Sequence, residues 1–264
     1  MLPYYEKHQV TFSMRGLRPN FRFPGHLHIQ CELIWVKKGK MPMICENKEY
    51  EVGEGELFII FPNQIHAYLG SSEDVEGYIL MFHPEEAAEL RGSLLQTKPQ
   101  HPWLKSTEVE ECLRYALDWL AREKSNEAVA RALLSLIMVK LYEKIEPVEK
   151  SASRESDLIR KAMQRIHETY CEEITLAGLA RELGINRYHL SHLFSSYLKM
   201  GYCAYVNALR AEKARRLLLT TDQTITEIAY DCGFNNQATF NRVFREYFHK
   251  TPRQMRSQNL QNKY

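Results

Sequence analysis

The sequence predicts an α+β protein: a strand-built N-terminal barrel or sandwich, two amphipathic helices, and an all-helical C-terminal segment. Three observations carry this. Short segments dense in Val, Ile, Phe and Tyr (CELIWVKKG, KEYEV, ELFIIF, GYILMFH) follow one another between residues 10 and 83, separated by Gly, Pro and Asn, as antiparallel strands joined by tight turns require. From about residue 107 apolar side chains recur at helical spacing instead. Beyond residue 157 one stretch of sequence occurs twice, the mark of a duplicated structural unit. With 264 residues, 44% of them hydrophobic, the chain can fill two cores. It divides into 1–145, a linker at 146–156, and 157–264.

The elements follow in order. After the strands, Val109, Leu113, Ala116, Leu117 and Leu120 share one face of a helix over 107–123, and Val129, Leu133, Leu136, Ile137 and Leu141 one face of a second over 126–145. The stretch EPVEKSASRES is polar, holds Pro147 and lacks apolar periodicity, which reads as an interdomain linker. The net charge is only +2, yet residues 155–264 carry sixteen Lys and Arg against eleven Asp and Glu, so a modest basic excess gathers in the helical segment. The six cysteines, Cys31, Cys45, Cys112, Cys171, Cys203 and Cys232, form no Cys-x-x-Cys pair. That pattern predicts a reducing compartment and thiols packed as small apolar groups. The opening MLPYYEKHQVTF has no signal-peptide pattern, and no run approaches the ~18 apolar residues of a membrane span, so a cytoplasmic location is expected. Neither a Ser-His-Asp, a phosphate-loop nor a dinucleotide motif is present.

The repeat aligns TLAGLARELGINRYHLSHLF with ITEIAYDCGFNNQATFNRVF. Leu176 matches Ile225, Leu179 Ile228, Ala180 Ala229, Leu183 Cys232, Gly184 Gly233 and Ile185 Phe234; after one inserted residue Leu190 matches Phe240 and Phe194 Phe244. Each copy reads as helix, turn, helix. Ala180 and Ala229 permit close helix approach, Gly184 and Gly233 permit a left-handed backbone at the turn, and Asn186 and Asn235 or Asn236 suit the N-cap of the second helix. Its outer face then carries Arg187, Tyr188, Ser191 and His192 in one copy and Gln237, Ala238, Asn241 and Arg242 in the other. Arg can pair with guanine, Gln or Asn with adenine, and Ala with the thymine methyl, so these faces suit the major groove of DNA.

Residues from about 158 to 256 resemble the DNA-binding domain of the AraC/XylS family of transcription regulators, through ITLAGLARELGINRYHLSHLF, YVNALRAEKARRLLLTT and ITEIAYDCGFNNQATFNRVFREYFHKTPRQMR. The resemblance implies seven helices, with Leu209, Ala214, Leu217 and Leu218 of a connecting helix inward and two reading helices set for adjacent major grooves of double-stranded DNA. Arg210, Lys213, Arg215, Arg216, Arg245 and Lys250 are then candidate phosphate contacts. His192 stands where the family often has Arg, and Lys199 where it often has Gly; the first copy is expected to read DNA more weakly than the second.

In the N-terminal half, His26, His28, Glu32 and Gly39 resemble the first cupin motif, with His66 at the histidine of the second; Phe61, Asn63 and Gly70 depart from that second motif. Alternate residues on a strand share a face, so His26, His28 and Glu32 are expected to converge. In metal-binding cupins the four side chains are the ligands, and such a set suits a first-row transition metal; the alternative is a polar lining that hydrogen-bonds a small ligand. His26, His28, Glu32, Trp35, His66 and Tyr68 are the effector-binding candidates, with Tyr50 and Phe58 as further aromatic surface. The paired helices resemble those through which this family dimerises. The family resemblance implies a homodimeric activator that contacts RNA polymerase and answers to a small molecule such as a sugar. The rival reading is a metal-dependent cupin enzyme carrying an accessory DNA-binding module.

Overall fold

In a computed structural model, residues 12–123, 126–150 and 153–261 are described, and they form two compact units, the chain passing from one to the other between Ser153 and Arg154. Among these residues no helix is long and apolar enough to cross a membrane.

The first unit opens with eight strands: β1 (Phe12–Gly16), β2 (Arg22–His26), β3 (Cys31–Lys38), β4 (Met41–Cys45), β5 (Lys48–Val52), β6 (Leu57–Ile60), β7 (His66–Leu69) and β8 (Glu76–Phe82). A 3-10 turn, α1 (Arg91–Gln96), β9 (Thr97–Pro99) and β10 (Trp103–Leu104) lead to α2 (Glu111–Arg122), α3 (Glu127–Tyr142) and β11 (Pro147–Glu149). Strands β1 to β8 and β10 make two open antiparallel sheets, β1-β8-β3-β6-β10 and β2-β7-β4-β5, rather than a closed barrel.

Strand β3 is buried on both faces, and its alternation sorts the unit into layers. Cys31, Leu33 and Trp35 join Leu57, Ile59, Leu80 and Phe82 in the cluster that Leu113, Leu117 and Leu120 of α2 and Leu134, Ile137 and Leu141 of α3 complete. Glu32 and Ile34 therefore point the other way, level with Ile60 and Phe58 on β6. Trp35, expected beside the polar cluster, belongs to the helix-covered face instead, because it differs in parity from Glu32.

The expected linker is also shorter than its composition implies. Residues 147–149 pair with β9 as strand β11, and the Lys150 ammonium donates to the carbonyls of Leu95 at 2.8 Å and Pro62 at 3.1 Å. A helix has begun by Arg154; residues 151 and 152 of the expected linker lie outside the described residues.

The second unit is all helix: α4 (Arg154–Thr169), α5 (Leu176–Glu182), α6 (Arg187–Leu198), α7 (Tyr202–Thr220), α8 (Ile225–Asp231), α9 (Gln237–Phe248) and α10 (Pro252–Gln261). Helix α7 serves two cores. Near its start Tyr202 and Tyr205 lie 5.6 and 5.4 Å from Phe194 of α6. Farther along, Ala211, Ala214 and Leu218 pack with Ile228, Phe240 and Phe244. Leu209 is buried as expected, while Leu217 is only partly covered.

Both α6 and α9 end on a residue in the left-handed region, Lys199 at φ 52° and His249 at φ 55°, where a side chain is strained and glycine is not. Lys199→Gly and His249→Gly are each expected to stabilise the helical unit by about 1 kcal/mol, read as a higher thermal midpoint by circular dichroism.

Candidate functional site

The two copies of the repeat fold alike down to their turn hydrogen bonds. In the first, Ile185 N–H donates to the Ala180 carbonyl at 3.0 Å and Gly184 N–H to Arg181 at 3.1 Å; in the second, Phe234 N–H donates to Ala229 at 3.0 Å and Gly233 N–H to Tyr230 at 2.8 Å. The second helix of each is capped by asparagine. Asn186 Oδ1 accepts from Tyr188 N–H at 2.7 Å, and Asn236, not Asn235, accepts from Thr239 N–H at 2.8 Å. Leu190, Leu193 and Phe194 on α6 and Phe240, Val243 and Phe244 on α9 turn inward. That commits the opposite faces to solvent.

On α6, Arg187, Tyr188 and His192 are exposed and Ser191 is half-buried; the Arg187 guanidinium lies over the Tyr188 ring and donates to its hydroxyl at 2.8 Å. On α9, Gln237, Ala238, Asn241 and Arg242 are all exposed. Glu246, one turn beyond Arg242, accepts from its guanidinium at 3.0 and 3.1 Å. The outward-facing residues of the motif do not mark this partner in advance. A surface pair of this spacing is worth only about 0.3–0.5 kcal/mol, less than a bidentate contact to guanine, so it leaves Arg242 available to DNA.

The basic candidates divide. Arg210 is fastened by its Nε to the Tyr170 carbonyl at 2.6 Å and by a terminal nitrogen to Glu172 at 2.9 Å. Lys213 donates to the Asp231 carbonyl at 2.7 Å and the Cys171 sulfur at 3.1 Å. These two tie the end of α4 to α7 and α8, a structural role beyond their reading as phosphate contacts, which engages two of the five guanidinium N–H donors and two of the three ammonium donors. Arg215 bonds Glu212 of its own helix at 2.9 Å and is partly buried, as is Arg216. Arg245 and Lys250 are exposed.

In the β-sheet unit, His26, His28, Glu32 and His66 are buried, and their potential ligand atoms lie within 4.8 Å of one another. They do not meet by alternation along one strand. His26 ends β2 in one sheet and Glu32 lies on β3 in the other, with His28 on the crossover between them; His66 on β7 pairs directly with His26.

Each imidazole is oriented by a backbone carbonyl. Nδ1 of His26 lies 3.0 Å from the Pro24 oxygen, that of His28 3.0 Å from Gln30, and that of His66 2.9 Å from Gln64. A carbonyl only accepts, so each Nδ1 carries the proton and, in the neutral ring, each Nε2 keeps a lone pair. Those Nε2 atoms face the carboxylate: His28 Nε2 is 3.1 Å from Glu32 Oε1 and His66 Nε2 3.4 Å from Oε2. The other demand on Glu32 is a short hydrogen bond donated by the Tyr68 hydroxyl. Burial alone would raise the Glu32 pKa, but the His28 and His66 rings that face it outweigh burial and hold the group well below the usual carboxylate range. Burial, with His66 alongside, pushes His26 down, which favours the neutral, lone-pair-bearing ring. Converging lone pairs and a carboxylate repel unless a proton or a cation lies among them. Backbone-oriented histidines are how proteins present imidazole to metals, and His66 Nε2 is buried without a hydrogen-bond partner. The residues therefore fit a divalent cation.

Two family models match the chain: an AraC-like ligand binding domain over residues 15–139 and a helix-turn-helix domain over 179–258. Among curated relatives, the HTH-type transcriptional activator RhaS of Pectobacterium atrosepticum is 26% identical over 97% of this chain and 95% of its own length. An uncharacterized HTH-type transcriptional regulator of Staphylococcus aureus is 25% identical over 84% of this chain but 31% of its own. Among solved structures, ToxT from Vibrio cholerae superposes with a TM-score of 0.55 at 16% identity, covering 93% of this chain and 97% of that one, a likeness of fold.

Proposed function

Since the chain belongs to the AraC family of transcription regulators, pairing that family's ligand-binding domain with its helix-turn-helix domain, we propose that it activates transcription as a homodimer when a small molecule enters the β-sheet unit. The observation that carries the DNA half is the pair of equivalent, capped helices with exposed polar faces. Arg187, Tyr188, Ser191 and His192, with Gln237, Ala238, Asn241 and Arg242, read base edges; Arg245 and Lys250 meet phosphate. Footprinting on DNA upstream of its own gene tests this: a protected site split into half-sites is expected, and indifference to any DNA at low salt overturns it. Arg242→Ala is expected to cost about 1–3 kcal/mol of specific binding and to relax base preference at one position, measured by competition among operator variants.

His26, His28, Glu32 and His66 hold a divalent first-row metal ion, with Tyr68 fixing the carboxylate. Such an ion would supply a Lewis-acidic point to which an oxygen-rich effector, a sugar for instance, could dock. We read this as recognition without turnover. The named relatives are transcription regulators.

Dimerisation uses α2 and α3. Tyr115 and Trp119 are 68% and 59% exposed on one face of α2, and Leu136 and Val139 are 45% and 43% exposed on α3; this much uncovered apolar surface marks an interface. Doubling the DNA-binding units raises affinity through effective concentration, and RNA polymerase is the partner through which a bound dimer activates. Trp119→Glu is expected to convert the dimer to monomer in sedimentation velocity, with its β-sheet unit still folded.

A further inference from the structure

The turn between β6 and β7 touches the three-histidine site on one side and the chain's exit from the β-sheet unit on the other. Asn63, at φ 63°, donates its N–H to the His28 carbonyl at 2.7 Å. The Gln64 carbonyl accepts from His66 Nδ1 at 2.9 Å, while the Gln64 side chain accepts from Phe61 N–H at 2.7 Å and braces the turn. Two residues back, the Pro62 carbonyl accepts from the Lys150 ammonium at 3.1 Å, and the same ammonium reaches Leu95 at 2.8 Å and Leu94 at 3.5 Å. The Lys150 N–H donates to the Gln96 carbonyl at 3.2 Å, continuing the β11–β9 ladder into the residues just before the second unit.

We infer that Lys150 couples the three-histidine site to β11: filling the site tightens the 62–64 turn, seats the ammonium on its carbonyls and holds β11 against β9. This rests on the metal reading above. An ammonium has three donors and no acceptor, so its grip depends on all three carbonyls standing where they do. The turn supplies one of them, orients the His66 ring through the Gln64 carbonyl and holds the His28 main chain through Asn63 N–H. When Nε2 gives its lone pair to a cation, the Nδ1–H becomes a stronger donor and the histidine–carbonyl bond tightens. The shift at Gln64 then reaches Pro62 two residues away. The segment that leaves for the DNA-binding unit is thereby held or freed according to what occupies the site, which is the differential affinity that regulation needs. By linkage the effect runs both ways: loosening Lys150 must weaken binding at the histidines.

The test is cobalt(II) titration of the full-length, metal-free chain, followed by visible absorption, with hydrogen exchange read by mass spectrometry on the peptide spanning 147–150. In the wild type, cobalt is expected to slow exchange there by about fivefold or more, the lower end of ordinary allosteric coupling. In Lys150→Met the slowing should vanish and cobalt affinity should fall by a matching factor, while exchange in the β3 peptide, unchanged, shows the unit intact. Should Lys150→Met fail to fold, Lys150→Arg keeps the charge but cannot seat a planar fork on three converging carbonyls, and a partial loss of both effects is expected. Cobalt that binds without altering 147–150, or that protects it equally in the variant, overturns the coupling and leaves the metal site standing. No cobalt uptake overturns both.

Discussion

Gly233→Ala is expected to cripple the helical unit, whereas Gly184→Ala, at the equivalent position of the first copy, is expected to be tolerated. Both glycines are left-handed, at φ 85° and 67°, so each pays about 1–2 kcal/mol for a side chain in that region. Their surroundings then part them. A Cβ at Gly184 meets nothing within 4 Å, but one at Gly233 would lie 2.5 Å from the Cys171 carbonyl oxygen and 2.8 Å from two further backbone atoms of Cys171. Main chain cannot swing aside as a side chain can. The contact is also where Lys213 bonds Asp231 and Cys171 and where Arg210 holds Tyr170 and Glu172. Forcing it apart disturbs the seat of the second reading helix, and a total of about 3–5 kcal/mol is expected for Gly233→Ala. All three tryptophans, Trp35, Trp103 and Trp119, precede residue 154. Helix loss by circular dichroism at unchanged tryptophan emission would therefore place the damage in the second unit. Equal cost at the two glycines would mean that the Cys171 contact yields freely.

The contrast between these glycines shows what the chain made legible and what it hid. Gly184, Gly233, Ala180, Ala229 and the capping asparagines were readable because backbone geometry dictates those residue types, and geometry repeats when a unit is duplicated. That one glycine lies against Cys171 was not, since the contact joins residues 62 positions apart in sequence. The structural role of Arg210 and Lys213 was hidden for a related reason. A basic side chain on an amphipathic helix looks alike whether it meets phosphate or a carbonyl at a neighbouring helix end, and only the end of α4 decides. In the β-sheet unit the four polar residues were legible as a set, but the reason given for their convergence was not the one that operates. The chain crosses from one sheet to the other between His26 and Cys31, so strand alternation fails across the gap while holding within β3. There it separates Trp35 from Glu32. The polar run at 146–156 read as linker because a three-residue strand has too few side chains to show alternation, and because Lys150 spends its charge on carbonyls that composition does not reveal.

Glu32→Ala is expected to destabilise the β-sheet unit by about 3–5 kcal/mol, the usual cost of removing one partner from a buried charged network, and to abolish metal uptake. Two effects combine. The Tyr68 hydroxyl loses its acceptor, and the negative charge that holds a proton or cation between Glu32 and the His28 and His66 Nε2 atoms, 3.1 and 3.4 Å away, is removed. The vacated volume is walled by the fully buried Ile60 and by Met81, the neighbours of Glu32 in the ladders, which offer no hydrogen-bond partner in exchange. Glu32→Gln separates charge from shape. Its carbonyl can still accept from Tyr68, so stability should fall less than in Glu32→Ala, yet the negative charge that draws a cation is gone and cobalt binding should fail almost as completely. Tyr68→Phe removes only the donor, leaving a carboxylate still faced by two histidines, and about 1.5–3 kcal/mol is expected. Urea unfolding followed by tryptophan emission reports this unit selectively and should rank the variants Ala, Gln, Phe from most to least damaging. If Glu32→Ala were instead as stable as the wild type, the four side chains would be separate tenants of a roomy interior, and neither a shared ion nor its coupling through the 62–64 turn would have a physical basis.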